Sequence, residues 1–238
     1  GSFLNVVISR LKTRQNIVFG GSFCPECKTP LRWYDLIPLL SFIYLRGRCC
    51  YCHKKISRQY PIVELISGLL WVLIFYNFGI SLINIYYIFI FSALLVIVVY
   101  DFKWRIIPDK IVYPAIVVVF IYNAINAFKI GNLRIFTALL FVALSAFLFF
   151  FMLFYFSKGR AMGLGDAKLA FLIGLFLSPW LAIAAFMLAF IIGAVFGIIL
   201  IGLGKKSLKS QIAFGPFLVL GATIAFFLSD FIINFFQP

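Results

Sequence analysis

Seven apolar runs dominate the chain, at roughly 60–80, 82–100, 111–128, 133–156, 167–177, 180–203 and 213–236. Six of them approach the ~20 residues that a helix needs to cross a bilayer. The run at 167–177 is shorter and stops before Ser178-Pro179, where proline ends a helix or begins a new one. The chain opens with "GSFLNVVI", too short to span alone. It reads as the tail of a first transmembrane helix whose start lies outside this sequence, which makes about eight helices, although Gly1 also fits the end left by removal of a tag. The expected fold is therefore an all-α polytopic membrane protein with seven to eight transmembrane helices. Its parts would be a helix tail at 1–8, a polar loop at 9–59 and a multi-helix transmembrane domain at 60–238.

Composition agrees with this. Of the 238 residues, 64% are hydrophobic and only 12% charged, more apolar surface than a soluble domain of this size can hide. The net charge of +14 raises the question of nucleic acid, and the placement of the charges answers it. Nineteen of the 21 Lys and Arg residues fall in 9–59, 101–110, 158–168 and 205–209, and only Lys129 and Arg134 fall on the other side. That asymmetry is the positive-inside signature and places those four segments in the cytoplasm. The basic charge then serves topology and attraction to anionic membrane lipids, with no need for a nucleic-acid partner.

All five cysteines lie between residues 24 and 52, in "CPEC" and "CCYC". Cys24-x2-Cys27 with Cys49-x2-Cys52 is the spacing of a four-thiolate Zn2+ site, and a reducing cytoplasm argues against disulfides. Four protein ligands leave no open position, so the metal would be structural, clipping a loop too polar and too short to build a core. Cys50 falls outside the spacing, and His53 reads as a bystander.

The acidic residues number seven. Glu26 and Asp35 belong to the cysteine loop, Asp230 lies near the far-side end of the last run, and all three read as solvated. Asp166, in "GLGDAKLAFLIGL", suits a helix N-cap, and Asp109, after Pro108, is explained in the same way. Asp101 resists that account, because it ends the 82–100 run where the helix dipole disfavours an acid. Topology places Asp101 and Asp166 at a similar membrane depth. Two adjacent carboxylates share a proton, so one can draw a proton from water while the other donates to a peptide carbonyl, which is aspartic proteolysis. Spacing alone does not decide between that pair and simple capping. Glu64, about one turn into an apolar run, would pair with a loop arginine or take part in other chemistry.

Other chemistries lack their parts. The single histidine, His53, stands beside the cysteines, so a Ser-His or Cys-His pair has no base in the membrane. "GLGKKS" at 202–207 has Ile199 where a phosphate loop needs its first glycine. Gly193 and Gly197 read as a small-xxx-small packing pair. Two non-peptidase readings stand beside the dyad: a small transporter or channel using Asp101 and Asp166 as a proton or cation relay, and a zinc-loop scaffold that needs neither. Against the transporter, no internal repeat is visible and both aspartates lie at one face.

Five ordered stretches carry a resemblance: "GSFLNVVISRL", "CPECKTPLRWYDLIPLLSFIYLRGRCCYCHKKISRQYPIVELISG", "YDFKWRIIPDKIVYP", "GLGDAKLAFLIGL" and "IAFGPFLVLGA". In this order they resemble type IV prepilin peptidases over most of the chain. The resemblance implies a polytopic aspartic peptidase of the bacterial inner (cytoplasmic) membrane. It would cut the short basic leader from type IV prepilins and pilin-like secretion subunits at the cytoplasmic face. Carried onto this sequence, the catalytic pair is Asp101 and Asp166. Members with the four-cysteine loop, here Cys24, Cys27, Cys49 and Cys52, are typically bifunctional and methylate the new N-terminus with S-adenosylmethionine. No glycine-rich fingerprint for that donor is visible. Gly163 and Gly165 would let the loop approach an extended substrate backbone. Lys168 would raise the local potential near the dyad or simply snorkel. Two residues depart from the family pattern: His53 stands where glycine commonly follows the last cysteine, and Cys50 replaces a basic or polar residue. For Glu64 the resemblance adds a possible part in methyl transfer.

Overall fold

Apolar runs longer than about 18 residues, closed by glycine or proline, fold as the long helices of a computed structural model that describes residues 1–13, 16, 20–160, 162–204 and 212–236. The helices in chain order are α1 (Ser2–Thr13), α2 (Leu40–Tyr44), α3 (Gln59–Phe78), α4 (Ile83–Trp104), α5 (Asp109–Ile130), α6 (Leu133–Ser157), α7 (Leu164–Phe176), α8 (Pro179–Gly202), α9 (Gly215–Phe227) and α10 (Ser229–Phe236). A 3-10 turn at Trp33–Leu36 precedes α2. The basic run at 205–209, Arg14, and most of the "GLGKKS" stretch lie outside the described residues.

Local residue chemistry sets the helix ends, at Ser178-Pro179 as the sequence predicts. Gly131 takes the left-handed conformation (φ +68°) and its N–H reaches the last carbonyls of α5. Asn132 then caps α6 by accepting from the Arg134 N–H at 3.1 Å. Pro179 opens α8 at its first turn, where a missing N–H costs nothing.

Five helices, α3, α4, α5, α6 and α8, are long and apolar enough to cross a membrane among the described residues. The chain is a multi-pass membrane protein. On α3 and α8, Leu65, Leu69, Val72, Met187, Ile191 and Ile198 point outward, the arrangement expected when lipid is the solvent. α7 and α9, at 13 residues each, extend only about 20 Å, short of the ~30 Å hydrocarbon core. Three boundaries differ from the pattern. α1 continues to Thr13, its end tied down by Arg10, whose guanidinium donates to the carbonyls of Asn16, Gly20 and Gly21. α4 continues to Trp104, so Asp101 sits inside the helix rather than after it. The run at 213–236 breaks at Leu228, because Ser229 and Asp230 favour a new helix start that unbroken hydrophobicity conceals.

The chain divides into two compact units, Gly1–Val96 and Ile97–Pro238. In the first, α1 packs on α3 and the cysteine loop folds between them in sequence. In the second, α7 is the central helix: eight of its 13 residues are buried, and it packs on α5, α6 and α9. Lipid supplies no hydrophobic force between helices, so close backbone approach through small residues holds them together. A Cβ on Gly174 would come 2.9 Å from the Ala143 Cα, and one on Gly221 would come 2.2 Å from the Ala185 carbonyl oxygen. Gly193 plays the packing role expected of it, since a Cβ there would come 3.3 Å from the Phe214 ring.

Candidate functional site

Asp101 and Asp166 line one cavity of about 380 Å³ in the second unit. Both are buried, at 5% and 8% exposure, a degree that carboxylates reach only with a reason. α7 positions Asp166. The helix begins at Leu164 with Gly163 as its N-cap, so Asp166 is the third residue of the first turn rather than the cap itself. Glycine has no side chain to cap with. Asp166 therefore reaches back, and its Oδ2 accepts the Gly163 N–H at 3.0 Å. α4 positions Asp101 one turn before its end, where its backbone carbonyl accepts the Arg105 N–H at 2.7 Å. The Asp101 Oδ2 is buried without a hydrogen-bond partner among the described residues. Such an atom is costly to leave unmet, and it belongs to a residue that lines the cavity shared with Asp166.

The other residues that the sequence singles out near Asp166 fall around the same cavity. Gly163, Gly165 and Lys168 all line it. Gly165 is needed for contact: a Cβ there would come 2.8 Å from the Ile107 Cβ. Lys168 also has a partner of its own at the edge of this cavity. Its Nζ pairs with Asp109 Oδ1 at 2.7 Å and lies 5.1 Å from the centre of the Tyr113 ring. Asp109 is the first residue of α5, with Pro108 as N-cap, so the expected capping role belongs to its neighbour. A pair 59 residues apart in sequence leaves no local trace, which is why neither residue's partner was legible. Sequence reasoning also missed Ile107, Phe214 and Gly215 around the dyad, although the "FGP" of Phe214–Pro216 was part of the motif set.

The cysteine loop builds a second site in the first unit. Each CxxC is a tight knuckle closed the same way. The Lys28 N–H reaches the Cys24 carbonyl at 2.8 Å and the Cys24 N–H reaches Thr29 at 3.0 Å. His53 N–H to Cys49 and Cys49 N–H to Lys54 repeat the pattern at 2.9 Å each. Lys28 and His53 occupy matching left-handed positions at φ +58° and +57°, a conformation that glycine adopts without strain. The Sγ atoms of Cys24, Cys27, Cys49 and Cys52 lie within 4.8 Å of one another, with Cys24 and Cys52 3.9 Å apart. A tetrahedral thiolate shell at ~2.3 Å per bond needs sulfurs about 3.8 Å apart, so the cluster could hold a metal. Hydrogen bonds from Thr29 draw the Cys27 thiol down to about 6, and backbone donors at Cys52 and Tyr51 draw Cys49 down, both toward the thiolate a metal binds. Cys52 moves to about 11: the Lys54 N–H pulls it down, but burial and the neighbouring thiols outweigh that. Cys50 stands apart. Burial, then the Asp35 carboxylate, pushes its thiol up, and its Sγ points 3.6 Å from Asp35 Oδ1.

The remaining acids lie outside the cavity of Asp101 and Asp166. Asp35 is not merely solvated: it accepts from the Arg32 backbone N–H at 3.0 Å and from the Tyr51 hydroxyl at 3.3 Å, gathering the loop. Glu26 pairs with Lys54 across the two knuckles. Asp230 lies in the first turn of α10. Among the described residues Glu64 meets no arginine. Its Oε1 accepts from the Ser2 hydroxyl and its Oε2 from the Leu39 N–H at 2.9 Å, fastening the loop to α3.

Comparison with known proteins follows these two sites. Residues 1–78 match the model of the bacterial peptidase A24 N-terminal domain, and residues 88–198 match that of the type IV leader peptidase family. A Bacillus subtilis protein named prepilin leader peptidase/N-methyltransferase is 31% identical, over 99% of this chain and 93% of its own. One of the same name from Legionella pneumophila is 30% identical over 99% and 90%. Another from Myxococcus xanthus is 36% identical over 84% and 60%. No solved structure matches. Nothing among these matches supports a transporter or channel.

Proposed function

The chain belongs to the type IV leader peptidase family, and from that premise we propose that it cleaves the basic leader from type IV prepilins and pilin-like secretion subunits, with Asp101 and Asp166 as the proteolytic pair. It is a membrane aspartic endopeptidase that is also an N-methyltransferase. The observation that carries the site assignment is the meeting of two buried carboxylates in one cavity, with Asp101 Oδ2 unpartnered.

In this reading a substrate peptide enters the cavity in extended form beside Gly163 and Gly165. Arg105, Arg160 and Lys168 share the lining with Ile106, Ile107 and Phe214, and the two carboxylates carry one proton between them. The ionised member takes a proton from a bound water, whose oxygen attacks the scissile carbonyl carbon. The protonated member donates to the carbonyl oxygen. Collapse of the tetrahedral intermediate breaks the C–N bond as the amine leaves with a proton from the protonated member, the ionised member takes the proton of an intermediate hydroxyl as the carbonyl re-forms, and the pair again holds one proton. Asp166 is held for this work by the Gly163 N–H. The prepilin's own apolar helix, lying in the bilayer, would hold its scissile bond at the interface.

Residues 9–59 form the loop domain and 60–238 the transmembrane peptidase domain. Cys24, Cys27, Cys49 and Cys52 would hold a structural Zn2+, which supplies a rigid clip when bound. S-adenosylmethionine would be the methyl donor for the new N-terminal amine. The positive-inside count supports a cytoplasmic side for the loop and the dyad, in a bacterial inner membrane. Anionic lipid is a partner shared by enzyme and leader, since both are basic.

The test is product mass. The purified protein in liposomes, given a prepilin-like substrate, should yield a product shortened at the leader boundary. Added S-adenosylmethionine should raise that product by one methyl. A substrate left intact under all conditions would refute the proteolytic assignment.

A further inference from the structure

The mechanism above leaves one of its two carboxylates without a positioning partner. Asp166 has the Gly163 N–H. Asp101, nine-tenths buried with its Oδ2 unpartnered, is not surrounded by empty space. Gly215, the first residue of α9, stands against it: a Cβ there would come 2.6 Å from Oδ2 and 3.3 Å from Cγ. No L-residue with a side chain fits that gap with Asp101 in place.

The helix end itself singles out one donor. The Phe217 and Leu218 N–H groups both reach the Phe214 carbonyl, at 3.0 and 3.2 Å, and Pro216 has no N–H. Gly215 therefore carries the free backbone donor of this N-terminus, and its N–H faces the Asp101 carboxylate. The start of α9 is anchored by Phe214, whose ring packs 5.1 Å from Phe190 and 6.2 Å from Phe150. Fixed in this way, α9 presents its end to the cavity much as α7 does.

We infer that Gly215 is a positioning residue for Asp101, the counterpart of Gly163 for Asp166, so that each catalytic carboxylate is aimed by the backbone of a glycine at a helix N-terminus. The inference rests on Asp101 being catalytic. Gly215 takes no proton and touches no substrate. It sets where the Asp101 carboxylate points, and a displacement of about 1 Å there is enough to cost a rate factor near 100.

The experiment compares the full chain in liposomes with Gly215→Ala, Asp101→Asn, Ile107→Ala and the double variant Gly215→Ala/Ile107→Ala. Cleavage is read as kcat and KM separately, and methylation is read on a substrate already cleaved. For Gly215→Ala the expected result is a kcat fall of about 100-fold with KM little changed. Methylation of the pre-cleaved substrate should be retained, which marks the protein as folded. Ile107 lies 3.3 Å from the same added Cβ, so the double variant separates two causes. If the clash with Asp101 is what matters, trimming Ile107 leaves the double variant as slow as Gly215→Ala. Rescue by Ile107→Ala would make Gly215 a packing residue and overturn the inference, as would loss of both activities together. Full cleavage by Gly215→Ala beside an inactive Asp101→Asn would overturn the inference alone. Full cleavage by a folded Asp101→Asn would overturn the dyad on which it rests.

Discussion

Replacing one cluster cysteine, as in Cys24→Ser, should release the metal and unfold the loop, and the structure allows the size of the effect to be worked out. The two knuckles, Cys24–Thr29 and Cys49–Lys54, fix twelve residues. At ~1–2 kcal/mol each, ordering that backbone costs about 12–24 kcal/mol. Against this stand four knuckle hydrogen bonds, worth ~1 kcal/mol apiece, and an exposed Glu26–Lys54 pair that adds little. The shortfall is comparable to the ~10–16 kcal/mol that four-ligand zinc contributes to small domains at neutral pH. On these numbers a bound metal, rather than the loop's own contacts, would hold the knuckles. The assay is elemental analysis of the purified protein with limited trypsin digestion at Lys28, Lys54 and Lys55. The parent should carry one zinc per chain and resist cleavage there. Cys24→Ser should lose the zinc and be nicked, whereas Cys50→Ser, whose thiol faces Asp35, should behave as the parent. Full zinc in Cys24→Ser, or none in Cys50→Ser, would refute the reasoning.

Three further outcomes follow from local geometry. His53→Gly relieves a left-handed side chain and should make the loop more resistant to trypsin, by about 1 kcal/mol of local stability. Gly174→Leu places a branched side chain where even a Cβ meets the Ala143 backbone, so the melting temperature should fall by the equivalent of ~1–3 kcal/mol or more. Glu64→Gln puts an amide against two donors, Ser2 and Leu39, and should lower thermal stability by about 1–3 kcal/mol while cleavage and methylation of the folded enzyme persist. Loss of methylation alone in that variant would instead place Glu64 in methyl transfer.

The parts of this molecule that were legible in the sequence are those written in local pattern. Apolar runs located the long helices, and the CxxC spacing picked the four sulfurs that converge, because a tight knuckle needs its ligands at fixed separation. Asp166 and its glycines were legible because a glycine-rich helix start is a local signal. The detail was not: Asp166 is the third residue of the turn because Gly163 cannot cap with a side chain. The Lys168–Asp109 pair, the Glu64 tie to Leu39 and the approach of Gly215 to Asp101 depend on residues far apart in the chain, so no periodicity announces them. The break at Leu228 was hidden for another reason, since both halves are apolar and only Ser229 and Asp230 mark the join.

The central claim is that two carboxylates act as one catalytic unit, and its most direct measurement is the single-turnover cleavage rate of Asp101→Asn, Asp166→Asn and the double variant beside the parent. Asparagine keeps the shape of each buried side chain but cannot exchange the proton. Each single variant should lose a factor of about 10²–10⁴ or more, and the double should be no slower than the worse single, because parts of one unit are not additive. Asp109→Asn, whose loss breaks only the rim pair with Lys168, should remain largely active. A folded Asp101→Asn or Asp166→Asn that cuts at the parental rate would contradict the account.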